Sequence, residues 1–177
     1  MKVESRIVKL LKRIGVKRGQ KVLDFGCGSG TYAIPAARIV GNKGKVYALD
    51  KNGHVLNELM QKAKSAGIEN IERIDTEGKT RIELADNSVD VVLLFDVLHS
   101  YYFSQAEDRR RLLDEIHRVA KTDALILVYP KHMGANARDE IERANFYFEN
   151  EHSGTLVHDG RDLEQGQVLV FTKKSKS

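Results

Sequence analysis

A glycine-rich loop that follows a short buried strand constrains this chain more than any other feature of its sequence. The strand is Lys21–Phe25, the loop is Gly26-Cys27-Gly28-Ser29-Gly30, and apolar residues at helical spacing resume over Thr31–Val40. The glycines let the backbone turn tightly and let a ligand approach it without Cβ atoms in the way. A strand, a glycine loop and a helix in this order form a nucleotide-binding arrangement, so we expect a ligand site here.

Strands and helices alternate along the rest of the chain. Val3–Ile14 has one apolar stripe at helical spacing and is ended by Gly15. Later strands are predicted at Lys45–Asp50, Ile71–Ile74, Val89–Phe95 and Ala124–Tyr129, and helices at His54–Ala66, Gln105–Ala120 and Ala135–Arg143. Two β-like runs, Phe146–Phe148 and Val168–Phe171, enclose a polar stretch with a candidate extra strand at Thr155–Val157. The order predicts an α/β fold: a doubly wound, mostly parallel seven-stranded sheet with an antiparallel C-terminal strand and helices on both faces.

Length and composition restrict the class of protein. The 177 residues predict one domain, 1–177, with an N-terminal helix over 1–14 and a disordered tail over 173–177. Cys27 is the only cysteine, which excludes a disulfide framework and a cysteine-based zinc site. No apolar run reaches the roughly 18–20 residues of a membrane span. The charged N-terminus is unlike a signal peptide, so we expect a cytoplasmic protein without membrane contact. The net charge of +4, with basic and acidic residues interspersed, disfavours nucleic acid as a partner.

The spacing of the loop indicates which kind of nucleotide it suits. A dinucleotide site of the form G-x-G-x-x-G requires glycine at position 31, where this chain has Thr31, and the Gly-Lys-Ser/Thr ending of a triphosphate loop is absent. Asp24 precedes the first glycine by two residues, and Asp50 ends the next strand, where an acid can accept both ribose hydroxyls. A ligand without phosphates that carries an ammonium and a sulfonium fits these carboxylates better than a pyrophosphate. Taken singly, Asp24 could only cap the loop and Asp50 could only be a strand-end turn residue.

These residues closely resemble the class I, Rossmann-like S-adenosylmethionine-dependent methyltransferases. The family's first motif resembles Val22–Gly30, and its second-strand acid matches Asp50. The segment Asp86-Asn87-Ser88-Val89-Asp90-Val91-Val92 is similar to the family's entry into strand four. Asp96-Val97-Leu98-His99 resembles the following turn in the small-molecule branch, which includes the ubiquinone and menaquinone C-methyltransferases. The resemblance covers roughly residues 15–130 and points to S-adenosylmethionine as the cofactor, but it does not identify the acceptor.

The resemblance also implies a set of cofactor-binding residues. Gly26 and Gly28 would contact the methionine portion, Asp24 would hold the amino group, and Asp50 would bind the ribose. An acid after strand three usually lies beside the adenine, and Asp75 is the nearest match. The connection from Asp75 to the next motif is longer than usual, however, so Thr76 or Glu77 could take that place. The full implied set is Asp24, Gly26, Cys27, Gly28, Gly30, Asp50, Lys51, Asp75, Thr76, Asp96 and Val97.

Aromatic and basic residues follow the fourth and fifth strands, whose carboxyl ends face the ligand crevice of such a sheet. We expect His99, as a general base, and Tyr102 to be catalytic, and Tyr101, Lys131 and His132 to contact the acceptor. The competing interpretation is that these are core aromatics beside a surface histidine. His152 and His158 lie in a polar stretch and are interpreted as surface residues.

No metal is expected. Asp96 resembles the acid that metal-dependent catechol-type O-methyltransferases place after strand four, but Tyr129-Pro130-Lys131-His132 supplies none of the further acidic or amide ligands. A thiol-rich acceptor site would need a second cysteine, and the N-P-P-Y type of signature of DNA amino-methyltransferases is absent.

The sequence therefore predicts a methyltransferase that aligns a small-molecule acceptor with an activated methyl group. Two alternatives stay open: an RNA or ribosomal-protein methyltransferase, and a non-catalytic S-adenosylmethionine-binding subunit. Little of the chain is available for a lid over the acceptor. The acceptor site is then either open or closed by a partner, which is a partner subunit or a second copy in a homodimer.

Overall fold

The structure, a computed structural model, describes residues 3–99, 101–158 and 162–173. Helices and strands alternate along these residues up to a final pair of strands. In chain order they are α1 (Val3–Arg13), β1 (Lys21–Phe25), α2 (Ala33–Val40), β2 (Lys45–Asp50), α3 (Gly53–Ser65), β3 (Ile71–Asp75), β4 (Val89–Phe95), α4 (Ala106–Val119), β5 (Ala120–Tyr129), α5 (Ala137–Arg143), β6 (Phe146–His158) and β7 (Asp162–Lys173).

The seven strands form one sheet in the order β3-β2-β1-β4-β5-β7-β6. Strands β1 to β5 pair in parallel, whereas β7 is antiparallel to both of its neighbours. The strand order reverses beside β1, which has β2 on one side and β4 on the other. The predicted doubly wound sheet is confirmed, and the reversal places a ligand crevice above the carboxyl ends of β1 and β4.

Strand β4 shows why a nearly continuous apolar run belongs at the centre of such a sheet. Val91 and Leu93 pack in the core on the side of α1, α2 and α3, whereas Val92 and Leu94 pack in the core on the side of α4 and α5. All four side chains are fully buried. Both faces of β4 are covered, so neither face tolerates the polar alternation of a half-exposed strand.

The last two strands form a long hairpin that the sequence did not predict. β6 and β7 pair from Phe146 opposite Lys173 to His158 opposite Asp162, with a register shift between Phe148 and Asn150. Two short strands were expected around a polar stretch with a candidate strand at Thr155–Val157. The candidate strand lies within β6, but the expectation of separate short strands was wrong, because polar residues with little hydrophobic periodicity continue both strands of the hairpin. Lys173 was assigned to a disordered tail, but it ends β7, and its Nζ donates to Asn87 and to the Ala120 carbonyl. Residues 174–177 lie outside the described residues.

The outer half of this hairpin, residues 153–158 and 162–167 and here named the distal hairpin, folds back over the sheet. The Tyr32 hydroxyl donates to the Val157 carbonyl (3.1 Å) and accepts from the Val157 N–H (2.9 Å). Gly154 lies against Leu10 of α1 so closely that a Cβ would meet its side chain at 2.8 Å. The distal hairpin therefore covers the edge of the crevice that was expected to have no lid. Among the described residues, no helix has the length and apolar character of a membrane span.

Candidate active site

The glycine loop is anchored to the end of the neighbouring strand. The N–H groups of Gly26 and Cys27 both donate to the Leu49 carbonyl, at 2.8 and 3.0 Å. Gly26 has φ of 73°, and a Cβ there would lie 2.4 Å from Val97 Cγ1, so only glycine fits. Gly28 has φ of 54°, and a Cβ there would meet nothing within 4 Å. Gly26 thus packs against the protein, while Gly28 leaves open space that a ligand can use.

Asp24 lies buried beneath this loop in an unusual electrostatic state. Its side chain belongs to β1 and is 2% exposed, and its Oδ2 has no hydrogen-bond partner among the described residues. Burial, followed by the nearby Asp50 carboxylate, raises the pKa of Asp24 from 3.8 to about 7, although the Ala33 N–H opposes this. A buried carboxyl oxygen without a donor is costly, so the position is suited to a cationic ligand group.

Asp50 connects the end of β2 to the glycine loop. Its Oδ2 accepts from the Gly28 N–H and its Oδ1 from the Asn52 N–H, both at 2.9 Å. Each carboxylate oxygen retains a lone pair after these bonds, so Asp50 can still accept hydroxyl donors. The carboxylate therefore fixes the loop as well as offering acceptors to a ligand.

The two candidates for the adenine contact after β3, Asp75 and Thr76, have different environments. Asp75 is exposed and pairs with Arg73 through two contacts of 2.7 Å, which lower the pKa of Asp75. Thr76 is buried, with 8% of its surface exposed, and its N–H lies 3.5 Å from the Asp50 carbonyl. Thr76 is thus the residue placed inside, next to Asp50. Lys51 is exposed, and its Nζ lies 5.3 Å from the centre of the Tyr102 ring.

Cys27 has the environment of a packing residue. It is buried, with 6% of its surface exposed, and its Sγ lies 3.5 Å from the Gly28 carbonyl. Burial raises the pKa of the Cys27 thiol far above its usual range, and Asp24 and Asp50 add to this effect. The thiol is therefore protonated and unreactive.

Asp96 is the centre of the polar groups after β4. Its backbone is left-handed, with φ of 57°, and its N–H donates to the Tyr129 carbonyl at 3.0 Å. His132 Nδ1 lies 2.6 Å and His99 Nε2 lies 3.7 Å from Asp96 Oδ1, and His158 Nε2 lies 3.3 Å from Asp96 Oδ2. We name these four residues the Asp96–histidine cluster. The interpretation of His158 as a surface residue was wrong, because its side chain is only 17% exposed and contacts Asp96.

Two tyrosines flank this cluster. The rings of His99 and Tyr102 lie 4.7 Å apart, and those of Tyr101 and Tyr102 lie 5.2 Å apart. Tyr101 is 85% exposed and Tyr102 is 48% exposed, whereas His99 is buried. Tyr101 and Tyr102 are thus not core aromatics, and His99 is not a surface histidine, so the competing interpretation does not hold for these three residues.

Lys131 pairs with an acid that no motif in the sequence marks. Glu164, on the distal hairpin, contacts Lys131 Nζ at 2.5 Å and accepts a hydrogen bond from the Tyr129 hydroxyl. Both partners lower the pKa of Glu164, with Lys131 having the larger effect. Glu164, His158 and Tyr32 are the residues that sequence reasoning missed, since each acts through the unpredicted hairpin.

Comparison with known proteins identifies the family. Residues 16–169 match the methyltransferase domain family. The chain belongs to that family. It is 33% identical over 112 residues to a demethylmenaquinone methyltransferase of Geobacillus stearothermophilus, covering 63% of this chain and 45% of the relative. It is 31% identical over 115 residues to a ubiquinone/menaquinone biosynthesis C-methyltransferase of Haemophilus ducreyi, covering 64% of this chain and 42% of that relative. The chain thus spans less than half the length of these curated relatives.

A solved structure extends the similarity to most of the fold. A SAM-dependent methyltransferase from Aquifex aeolicus superimposes with a TM-score of 0.75 and 26% identity over 93% of this chain and 88% of that one. The family and fold that the motifs predicted are confirmed, and the family implies S-adenosylmethionine as the cofactor. The site fits such a ligand, because the open space at Gly28 and the unpartnered Asp24 Oδ2 would accept its methionine end.

Proposed function

We propose that this chain is an active S-adenosylmethionine-dependent methyltransferase that acts on a small-molecule acceptor. The observation that carries the proposal is Asp24 Oδ2, a buried carboxyl oxygen beneath the glycine loop for which the described part of the chain supplies no donor. An ammonium group would satisfy it, whereas the pyrophosphate of a dinucleotide would be repelled by Asp24 and Asp50. The carboxylates thus favour a cationic ligand over an anionic one.

Each cofactor residue then has a defined task. Asp24 holds the ammonium, Gly28 leaves room for the methionine carbons, and Asp50 accepts the ribose hydroxyls. Thr76 would contact the adenine in place of Asp75, because the Asp75 carboxylate pairs with Arg73. When bound, S-adenosylmethionine supplies an already activated methyl group, so the remaining task of the protein is to place and orient the acceptor.

The acceptor would lie over the carboxyl ends of β4 and β5. Asp96, Val97 and the following turn adjoin the glycine loop, and the exposed rings of Tyr101 and Tyr102 offer flat apolar faces beside it. We propose that these rings and His132 contact the acceptor and that His99 and Tyr102 are the catalytic side chains. Lys131 would have to break its ion pair with Glu164 to contact the acceptor, so we assign it a less direct role than the tyrosines and His132.

The names of the relatives support a small acceptor. The two curated relatives are named for menaquinone and ubiquinone/menaquinone biosynthesis, and the exposed tyrosines suit a flat ring of that general kind. The exposed rings of Tyr101 and Tyr102 offer a surface that a second copy or a partner subunit would cover. We propose the cytoplasm as the compartment, since Cys27 is a free, buried thiol.

The proposal is tested by transfer of a radiolabelled methyl group from S-adenosylmethionine to metabolite pools, total RNA and protein extract. We expect label in the metabolite pool. Changing His99 to Ala and Tyr102 to Phe should reduce transfer while leaving cofactor affinity within a few-fold, and His54→Ala, at a largely exposed histidine on α3, is the control. Label in RNA alone would reassign the acceptor, and full transfer by both variants would remove these residues from catalysis.

A further inference from the structure

The Asp96–histidine cluster collects side chains from separate parts of the chain. Asp96 and His99 follow β4, His132 follows β5, and His158 ends β6. Three of the six histidines in the sequence thus surround one carboxylate. A single imidazole would be enough to act as a base, so general base chemistry does not account for the convergence of three.

The spacing of the donor atoms suits a metal ion. One ligand atom from each of Asp96, His99 and His132 lies within 4.8 Å of the other two. Metal–ligand bonds of about 2.0–2.2 Å put neighbouring ligand atoms roughly 3–3.5 Å apart, so small rotations of side chains would complete the geometry. Two imidazoles and one carboxylate suit divalent transition metals rather than Mg²⁺ or Ca²⁺, which prefer oxygen ligands.

The turn after β4 connects the cluster to the glycine loop. Asp96 has a left-handed backbone, with φ of 57°, a conformation that aspartate adopts more readily than most residues. The conformation also brings Val97 under Gly26, so the same turn joins the glycine loop to the cluster. A ligand at Asp96 would therefore lie at the acceptor side of the crevice.

We propose that Asp96, His99 and His132 bind a divalent transition metal such as Zn²⁺. His158 is a positioning residue that holds the carboxylate of Asp96 through Oδ2. Three protein ligands leave a coordination position open, from which the metal can polarise an acceptor atom. With Nε2 bound to the metal, His99 cannot also be the general base expected from the sequence, and its catalytic role becomes that of a metal ligand. The proposal does not depend on the identity of the acceptor or on methyl transfer.

Metal binding has a structural consequence in the turn after β4. His99 Nδ1 accepts from the Tyr101 N–H at 3.2 Å, which puts the ring proton on Nε2. Coordination through Nε2 moves that proton to Nδ1, so the bond from Tyr101 must be released. Zn²⁺ binding therefore breaks the hydrogen bond of the Tyr101 N–H, and faster hydrogen exchange of that N–H on metal addition should report it.

The test is calorimetric titration of the metal-free full chain with Zn²⁺ and, separately, with Mg²⁺. We expect one Zn²⁺ per chain and no Mg²⁺ binding, and Co²⁺ in place of Zn²⁺ should give the visible absorption of a nitrogen- and oxygen-ligated ion. Absence of stoichiometric Zn²⁺ binding would overturn the proposal and leave the cluster as a hydrogen-bonded network around Asp96.

Variants separate the ligands from the positioning residue. His132→Ala should abolish stoichiometric Zn²⁺ binding, and since the His132 side chain is 47% exposed the fold should persist. His158→Ala should weaken binding about 10–100-fold and leave the Co²⁺ spectrum unchanged. His54→Ala is the control, at an 81% exposed side chain, and should bind like the wild type. Equal Zn²⁺ affinity in His132→Ala and the wild type would refute the site. Binding of S-adenosylhomocysteine by each variant checks the fold and tests the proposed cofactor site separately.

Discussion

Asp24→Asn should make the ligand-free protein more stable and its cofactor site weaker. The pKa of Asp24 rises from 3.8 to about 7 in the fold, so the folded protein binds this proton more tightly than the unfolded chain. The stability therefore falls as pH rises from about 4 to 7, and at pH 8 the ionised carboxylate costs up to about 4 kcal/mol. Asparagine has the same shape and avoids this cost of ionisation, and an amide without a partner at the position of Oδ2 offsets it by about 1–3 kcal/mol at every pH.

The magnitudes can be measured by thermal unfolding of both proteins at pH 5 and pH 8. The Asn variant should be more stable at pH 8, by up to about 16 °C in Tm if each kcal/mol shifts Tm by roughly 2–4 °C. At pH 5 the difference in unfolding free energy between the two proteins should be about 3 kcal/mol smaller than at pH 8, because Asp24 of the folded wild type is mostly protonated at pH 5. Comparing the variant with the wild type at each pH cancels the titration of groups that do not interact with Asp24.

Binding should change in the opposite direction. S-adenosylhomocysteine keeps the ammonium that Asp24 would hold, and loss of a charged hydrogen bond of about 1.5–3 kcal/mol should reduce its affinity roughly 10–100-fold. Asp90→Asn is the matched control: Asp90 is a strand carboxylate that pairs with Lys121 and accepts from the Lys21 N–H. It should lower stability and leave binding unchanged. An Asp24→Asn protein that is less stable at pH 8 and still binds normally would refute the role assigned to Asp24.

Three further substitutions test the site and its cover. Asp50→Ala should weaken S-adenosylhomocysteine binding by at least tenfold in calorimetry, because it removes acceptors for two hydroxyls and releases the loop, whereas Asp75→Ala, at an exposed residue, should not. Gly26→Ala should cost at least 1–3 kcal/mol in denaturant unfolding, since its Cβ would collide with Val97 and its φ is positive; unchanged stability would contradict the packing. Tyr32→Phe should cost about 1–2 kcal/mol by losing two hydrogen bonds to the distal hairpin, and faster hydrogen exchange there should show it.

The cofactor half of the molecule was predictable because its signals are local. Gly26, Gly28 and Asp24 lie within a few residues of each other, and their positions follow from the order of strand, loop and helix. The apolar run Val89–Phe95 required a strand covered on both faces, and the structure has it at the centre of the sheet. Asp75 was selected for the adenine, yet Arg73 lies two residues earlier on the same face of the strand and pairs with it. That pairing was visible in the sequence.

The acceptor side was less predictable because its contacts are distant in sequence. His158 reaches Asp96, and Glu164 reaches Lys131, only because the hairpin folds back over the sheet. Among its described residues the distal hairpin buries only Leu156 and Val157, which are adjacent, so no alternating hydrophobic pattern marks the length of its strands. Tyr32 was counted as part of a helix, but the helix starts at Ala33, and the Tyr32 hydroxyl binds Val157 instead. Long-range pairing of this kind leaves no trace in a local pattern.

The most direct test of the proposed cofactor site is a calorimetric titration of the purified chain with S-adenosylmethionine, with S-adenosylhomocysteine and with NAD. The buried Asp24 and the Asp50 carboxylate predict that both sulfur ligands bind with one molecule per chain and that NAD gives no binding heat and does not compete. Binding of NAD without binding of either sulfur ligand would contradict the assignment of this loop to S-adenosylmethionine.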